Sequence, residues 1–146
     1  MFIIEGGLGV KSDFYTLKGY KLKEKNKITE AMEDYIEMIY RKTKNNKFVT
    51  IKELANFLNV KPSSTSKMAN RLKNLEMVEF EKYGKISLTE NGKLLGKYLL
   101  WRHNLLKKFF KCLNGNKYSL KQVEKIEHFI DNDTLINIER IIKKIS

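Results

Sequence analysis

Glu124, Glu127 and His128 occupy positions i, i+3 and i+4 in the stretch Gln122–Ile130. A helix turns about 100° per residue, so in a helix these three side chains share one face. Carboxylate oxygens and imidazole nitrogens grouped in this way suit a divalent first-row metal ion. Asp34 and Glu37, at i and i+3, flank the apolar stripe of another periodic stretch, and His103 is the remaining histidine of two. Asp34, Glu37, His103, Glu124, Glu127 and His128 can together make an oxygen and nitrogen cage drawn from three helices. With no sulfur, that set suits Mn(II) or Fe(II) better than a structural zinc site. Spacing alone leaves blander readings open. Asp34 and Glu37 can pair with Arg41 or nearby lysines, His103 beside Arg102 can be structural, and a Glu-x-x-Glu-His triplet arises by chance on many helices.

The elements that must position these donors follow from periodicity. Ile28, Met32, Tyr35, Ile36, Ile39 and Tyr40 recur at helical spacing behind Thr29, a fitting N-cap, and the helix fades at Thr43–Asn46. Ile51, Leu54, Ala55 and Leu58 mark a second helix. Asn59-Val60-Lys61 makes a tight turn, and Pro62, the only proline, suits the first position of a third helix with Met68, Leu72 and Leu75 as its buried stripe. The period then changes to two at Val78 and Phe80 and again at Ile86 and Leu88, which predicts a two-stranded ribbon turning through 81–85. Thr89 caps a long helix carrying Leu94, Leu95, Tyr98, Leu99, Leu105, Leu106, Phe109 and Phe110. So wide an apolar face predicts that part of it meets another subunit. Ser119 and Gln122 form a capping box ahead of the Glu124 stretch, Asp131-Asn132-Asp133 breaks it, and a last helix runs through Leu135, Ile138, Ile141, Ile142 and Ile145. Residues 1–27 carry scattered glycines and aromatics, and either a short extended pair or an arm lying on the main body fits them.

Helix, helix, tight turn, helix and ribbon is the order of a winged helix-turn-helix, whose third helix enters the DNA major groove. From Arg41 to Leu75 there are nine basic residues against one acid, Glu53. Lys52, Lys61, Lys67 and Arg71 belong to this set. The front of the third helix, Pro62-Ser63-Ser64-Thr65-Ser66-Lys67, offers short hydroxyl side chains that let it approach phosphates or base edges. Lys82, Tyr83 and Lys85 at the ribbon tip can bond phosphates. The alternative, a solvated lysine face and an ordinary helix start, explains the charge but not its one-sidedness together with the element order.

Bulk properties agree. The net charge of +12 and a pI near 9.7 point to an anionic partner, most often nucleic acid. A single cysteine, Cys112, excludes an internal disulfide framework and a thiolate-rich zinc site. Its apolar neighbours suggest a buried thiol. No apolar run approaches the roughly 18 residues of a membrane span. The N-terminus lacks the basic and apolar regions of a signal peptide, so a cytoplasmic location with no membrane partner is expected.

The segments Met32–Glu37, Val60–Ser64, Glu81-Lys82-Tyr83, Leu88–Lys93, Arg102–Leu106 and Val123–His128 resemble, in order and spacing, the diphtheria-toxin-repressor-like metalloregulators. The resemblance covers residues about 29 to 146 and is closest to the manganese transport regulator type. It implies a mainly α fold with a small two-stranded β wing: a winged helix-turn-helix over 28–93, then a helical dimerisation and metal-binding domain over 94–146, with 1–27 as an N-terminal extension. It also implies that Asp34, Glu37, His103, Glu124, Glu127 and His128 stand at the ligand positions of a two-metal site. Iron-type relatives place a methionine at Glu37 and a cysteine at Glu124. In three places the chain departs from the family. It has the N-terminal extension, its wing reads Tyr83-Gly84-Lys85, and Lys107 stands where an acid is usual.

The expected protein is a non-enzymatic, homodimeric repressor that senses Mn(II) or Fe(II), two ions per subunit. It would bind a palindromic operator in double-stranded DNA and control metal-uptake genes. A metal-independent winged-helix regulator is the rival reading. A two-metal hydrolase could use the same donors, but the sequence contains no separate nucleophile or phosphate loop.

Overall fold

The structure, a computed structural model, describes the backbone of residues 7–145 and the side chains of residues 16–145 apart from Lys82. Two compact units divide the chain, Met1–Tyr98 and Leu99–Ser146, with the division inside one long helix.

In the first unit, α1 (Gly7–Lys25) occupies the segment for which the sequence suggested an extended pair or an arm. It ends in a Schellman motif: the Ile28 N–H donates to Lys23 O and the Lys27 N–H to Glu24 O, with Lys27 left-handed at φ 51°. Thr29 follows at once and caps α2 (Glu30–Lys42), its hydroxyl accepting from the Met32 N–H at 3.2 Å. Tyr35, Ile36 and Ile39 form the buried stripe of α2.

Val49–Thr50 is a strand, β1, that the two-stranded expectation omitted. It is too short to show a period of two. Its second residue doubles as the cap of α3 (Ile51–Leu58), where Thr50 and Glu53 make a reciprocal capping box. Asn59, left-handed at φ 55°, turns the chain toward α4 (Pro62–Asn74), which packs on α3. Thr65, Ala69 and Leu72 form the buried stripe of α4, while Met68 and Leu75 are only half-buried. Strands β2 (Val78–Phe80) and β3 (Lys85–Leu88) pair antiparallel, with Val78 opposite Leu88 and Phe80 opposite Ile86. β1 adds to the other edge of β3, Val49 opposite Ile86, so the sheet order is β1-β3-β2. The fold is mainly α with a small antiparallel wing sheet, of three strands rather than two.

Thr89 starts α5 (Glu90–Asn114), accepting from the Gly92 N–H at 3.0 Å and donating its hydroxyl to Glu76 O at 2.6 Å. Gly92 is required here, because a Cβ would fall 2.0 Å from Met77 O. Leu95 and Tyr98 are buried.

In the second unit the rest of α5 carries buried Leu99, Leu105 and Leu106. A 3-10 turn at Gly115–Lys117 leads to α6 (Leu120–Ile126), capped by Ser119, which accepts from the Gln122 N–H. The sequence expected this helix to continue to Ile130. It stops at Ile126, and Asp131 opens α7 (Asn132–Ile145) by accepting from the Thr134 N–H at 2.8 Å. Leu135, Ile138 and Ile142 are buried along α7, whereas Ile141 and Ile145 are exposed, as are Leu113 and Phe129. Cys112 is exposed, contrary to the buried thiol its neighbours suggested. No helix among the described residues is long and apolar enough to cross a membrane.

Candidate metal centre and nucleic-acid interface

In the second unit, His103 projects from α5 and its Nδ1 lies 2.9 Å from Glu127 Oε2. Both side chains are buried, with His103 6% and Glu127 4% exposed. An ionised carboxylate can only accept, so in this bond the imidazole donates from Nδ1 and its Nε2 is the ring nitrogen that does not face the carboxylate. That is how a carboxylate commonly orients a metal-binding histidine. A ring nitrogen of His128 lies within 4.8 Å of a Glu127 carboxylate oxygen. Buried Arg102 brings its guanidinium to 3.5 Å from His128 Nδ1, at the edge of hydrogen-bonding range. His103, Glu127 and His128 therefore gather in one place, whereas Glu124 is exposed on α6. α6 ends at Ile126 with Glu127 as its C-cap, still right-handed and donating its N–H to Val123 O, and His128 lies in the turn beyond it.

In the first unit, Asp34 is exposed on α2 and Glu37 is buried. Glu37 is ion-paired one turn on with Arg41, the pairing that spacing had left open. Buried imidazole and carboxylate with no sulfur among them fit a divalent metal of the Mn(II) or Fe(II) kind.

Two features escaped the sequence reading. Arg102 was taken only as a neighbour of His103, yet it is among the most buried side chains. Trp101 Nε1 donates to Glu139 at 2.9 Å, tying α5 to α7. Residues 38 positions apart leave no periodic signal of such a bond.

The nucleic-acid face is built on α4 and the wing. Lys61, Pro62, Ser63, Ser64, Lys67 and Arg71 are all exposed, as is Lys52 on α3. Ser64, Lys67 and Arg71 are spaced three and four apart and so lie along one side of α4, away from its buried stripe. Thr65 is the correction. It is 0% exposed, with its hydroxyl 3.4 Å from Tyr35 Oη and 3.3 Å from Lys61 O, and it packs inward against α2. At the wing tip Tyr83 is 94% exposed with φ 68°, and Gly84 follows at φ 73°. Lys85 is exposed, its ammonium 4.6 Å from the Phe48 ring centre. The side chain of Lys82 lies outside those described.

A winged helix-turn-helix with a serine- and lysine-lined reading helix, and a buried histidine–carboxylate group on the helices that follow it, define a DNA-binding regulator with a metal-type donor set. Residues 27–86 match the family profile described as iron dependent repressor, N-terminal DNA binding domain. The chain is 34% identical over 116 residues to the HTH-type transcriptional regulator MntR of Geobacillus thermodenitrificans, covering 79% of this chain and 82% of that protein. It is equally similar to the regulator of the same name from Bacillus subtilis, over 79% and 82%. Among solved structures, IdeR of T. acidophilum matches with a TM-score of 0.66 at 25% identity. That match covers 75% of this chain, which spans about half, 53%, of the IdeR chain. The chain belongs to the diphtheria-toxin-repressor-like family of metal-sensing transcriptional repressors, in its MntR-type branch. It is a DNA-binding regulator and not an enzyme.

Proposed function

We propose that this chain represses metal-uptake genes in response to Mn(II), with Fe(II) as the alternative ion. It would act as a cytoplasmic homodimer on a palindromic operator. The observation that carries the reading is the buried His103–Glu127 bond with His128 beside it. Burial of such groups is costly unless they are hydrogen-bonded or paired, and ionisable groups gathered out of water mark candidate functional sites. The Mn(II)-type assignment draws on the sulfur-free donor set and on the similarity to MntR regulators.

Asp34 and Glu37 from α2, with His103, Glu124, Glu127 and His128, would hold two ions per subunit. When bound, the metal supplies positive charge that draws these carboxylates and imidazoles together. Glu127 accepts from His103 Nδ1, and Nε2 is the ring nitrogen left to bind. Glu37 must release Arg41 to serve as a ligand. Asp34 and Glu37 lie on the helix that supports α3 and α4, so their placement bears on where the reading helix points. Two reading helices in a dimer suit successive major-groove faces when they stand about 34 Å apart. The exposed Leu113, Ile141 and Ile145 offer apolar area for dimer contact.

The test is metal uptake by the purified protein, measured by equilibrium dialysis and elemental analysis. Near two Mn(II) per subunit in the wild type, and a clear loss in Glu127→Ala, supports the reading. No uptake overturns it.

A further inference from the structure

We propose that α1 is a brace that presets the Asp34–Glu37 arm of the metal site, an addition to the domain the family profile covers. It rests on the reading of Asp34 and Glu37 as ligands. The matched family segment begins at residue 27, so the whole of α1 lies outside it. Three contacts within the first unit fix this helix.

The first is the joint. Asn26, Lys27 and Ile28 all donate backbone hydrogen bonds into the last turn of α1, Ile28 is buried, and Thr29 already caps α2. No free linker separates the two helices, so α1 cannot swing without breaking a Schellman motif or an N-cap. The second contact is with α5. Gly19 is buried and lies so close that a Cβ there would sit 2.5 Å from Tyr98 Cβ and 3.0 Å from Leu94 O. The Tyr20 and Tyr98 rings stand 6.1 Å apart, tilted by 55°. The third is with α2. Lys23 reaches Glu33 at 3.4 Å, and Glu33, the residue before Asp34, is only 2% exposed.

α2 also meets α5 closely on its own account, since a Cβ on Gly96 would come 2.7 Å from Tyr40 Cβ. That contact holds the C-terminal end of α2. α1 holds the N-terminal half, where Asp34 sits, through Lys23 and the joint. The helix bearing two of the donors is thereby clamped to the N-terminal part of α5 at both ends before any metal arrives. A ligand that finds its donors already ordered loses less of its binding energy to ordering them, and apparent affinity rises with the fraction of binding-competent protein.

The experiment compares the full-length wild type, Gly19→Leu, Lys23→Met and Lys23→Arg. Gly19→Leu cannot keep the Tyr98 contact and lifts α1. Lys23→Met removes the ion pair while leaving the helix docked, so it carries the test should the glycine variant fail to fold. Two measurements are made on each: Mn(II) affinity by electron paramagnetic resonance titration, and amide hydrogen exchange of metal-free protein over residues 30–37. The brace predicts faster exchange and Mn(II) affinity weakened about 5–50-fold in Gly19→Leu, a smaller loss in Lys23→Met, and near wild-type behaviour in Lys23→Arg. Wild-type Mn(II) binding matched by both weakened variants, or unchanged exchange over residues 30–37, overturns the brace alone. If the wild type takes up no Mn(II), the ligand reading of Asp34 and Glu37 falls, and the brace as a positioning element falls with it.

Discussion

His103 on α5 and Glu127 just past α6 share a hydrogen bond of 2.9 Å inside the second unit, both side chains almost fully shielded from water. One bond thus ties two elements and also fixes which ring nitrogen faces the carboxylate. Its two roles can be separated. Glu127→Gln keeps an acceptor oxygen, so the metal-free protein should lose under about 1 kcal/mol of stability, whereas Glu127→Ala leaves the ring N–H unmet and should cost about 1–3 kcal/mol. Both should bind Mn(II) far more weakly than the wild type. Denaturant melts in chelator and metal titrations measure the two effects. A Gln variant that binds Mn(II) as well as the wild type would leave Glu127 a structural role only.

Lys67 and Arg71 are exposed on the side of α4 away from its core stripe. Each alanine variant should lower the slope of log affinity against log salt by about 1, the signature of one lost phosphate contact. Thr65→Ala is the control from the same helix. Its hydroxyl points inward, so it should reduce stability and leave the salt slope unchanged.

Gly92 sets the close approach of α5 to the residue before β2. A Cβ there would fall 2.0 Å from Met77 O, and backbone cannot yield as a flexible side chain can. Gly92→Ala should destabilise the protein by about 2–3 kcal/mol. In urea the midpoint should fall with little change in slope. A midpoint within error of wild type would mean that α5 is free to shift.

Asp131 carries the start of α7, and hydrogen bonding from the Thr134 side chain, then from the Thr134 N–H, holds its carboxyl below the ordinary aspartate range. A folded pKa below the unfolded one means that the cap's contribution is complete above the ordinary range and is lost as pH falls through the lowered folded value. Asp131→Ala should therefore lower the thermal midpoint at neutral pH, with the gap to wild type closing under strong acid. Asp131→Asn, still a good cap, should show a smaller deficit at neutral pH. A gap independent of pH would contradict the role assigned to the charge.

Wherever one period or one cap defined an element, the sequence was legible. Thr29, Pro62 and Thr89 begin helices as their chemistry dictates, and Val78, Phe80, Ile86 and Leu88 form the paired strands. α1 was illegible because its contact face is Thr16, Gly19, Tyr20 and Lys23, small or polar residues that make no apolar stripe. β1 was hidden by its length. Thr65 looked like a surface hydroxyl because Ser63, Ser64 and Ser66 surround it, although its position one turn before Ala69 and seven residues before Leu72 belongs to the core stripe. The donors were legible by type, and His103, Glu127 and His128 gather as expected. The exposed position of Glu124 was not legible, because spacing along a helix does not say which of its residues the neighbouring elements cover.

The central claim is that metal controls DNA binding. A duplex selected from a random pool in the presence of Mn(II) should be titrated with protein in Mn(II) and again in chelator, at one fixed salt concentration. The account predicts tighter binding with Mn(II) by about 5–150-fold, reversed by chelator. Equal affinity in the two conditions would contradict it.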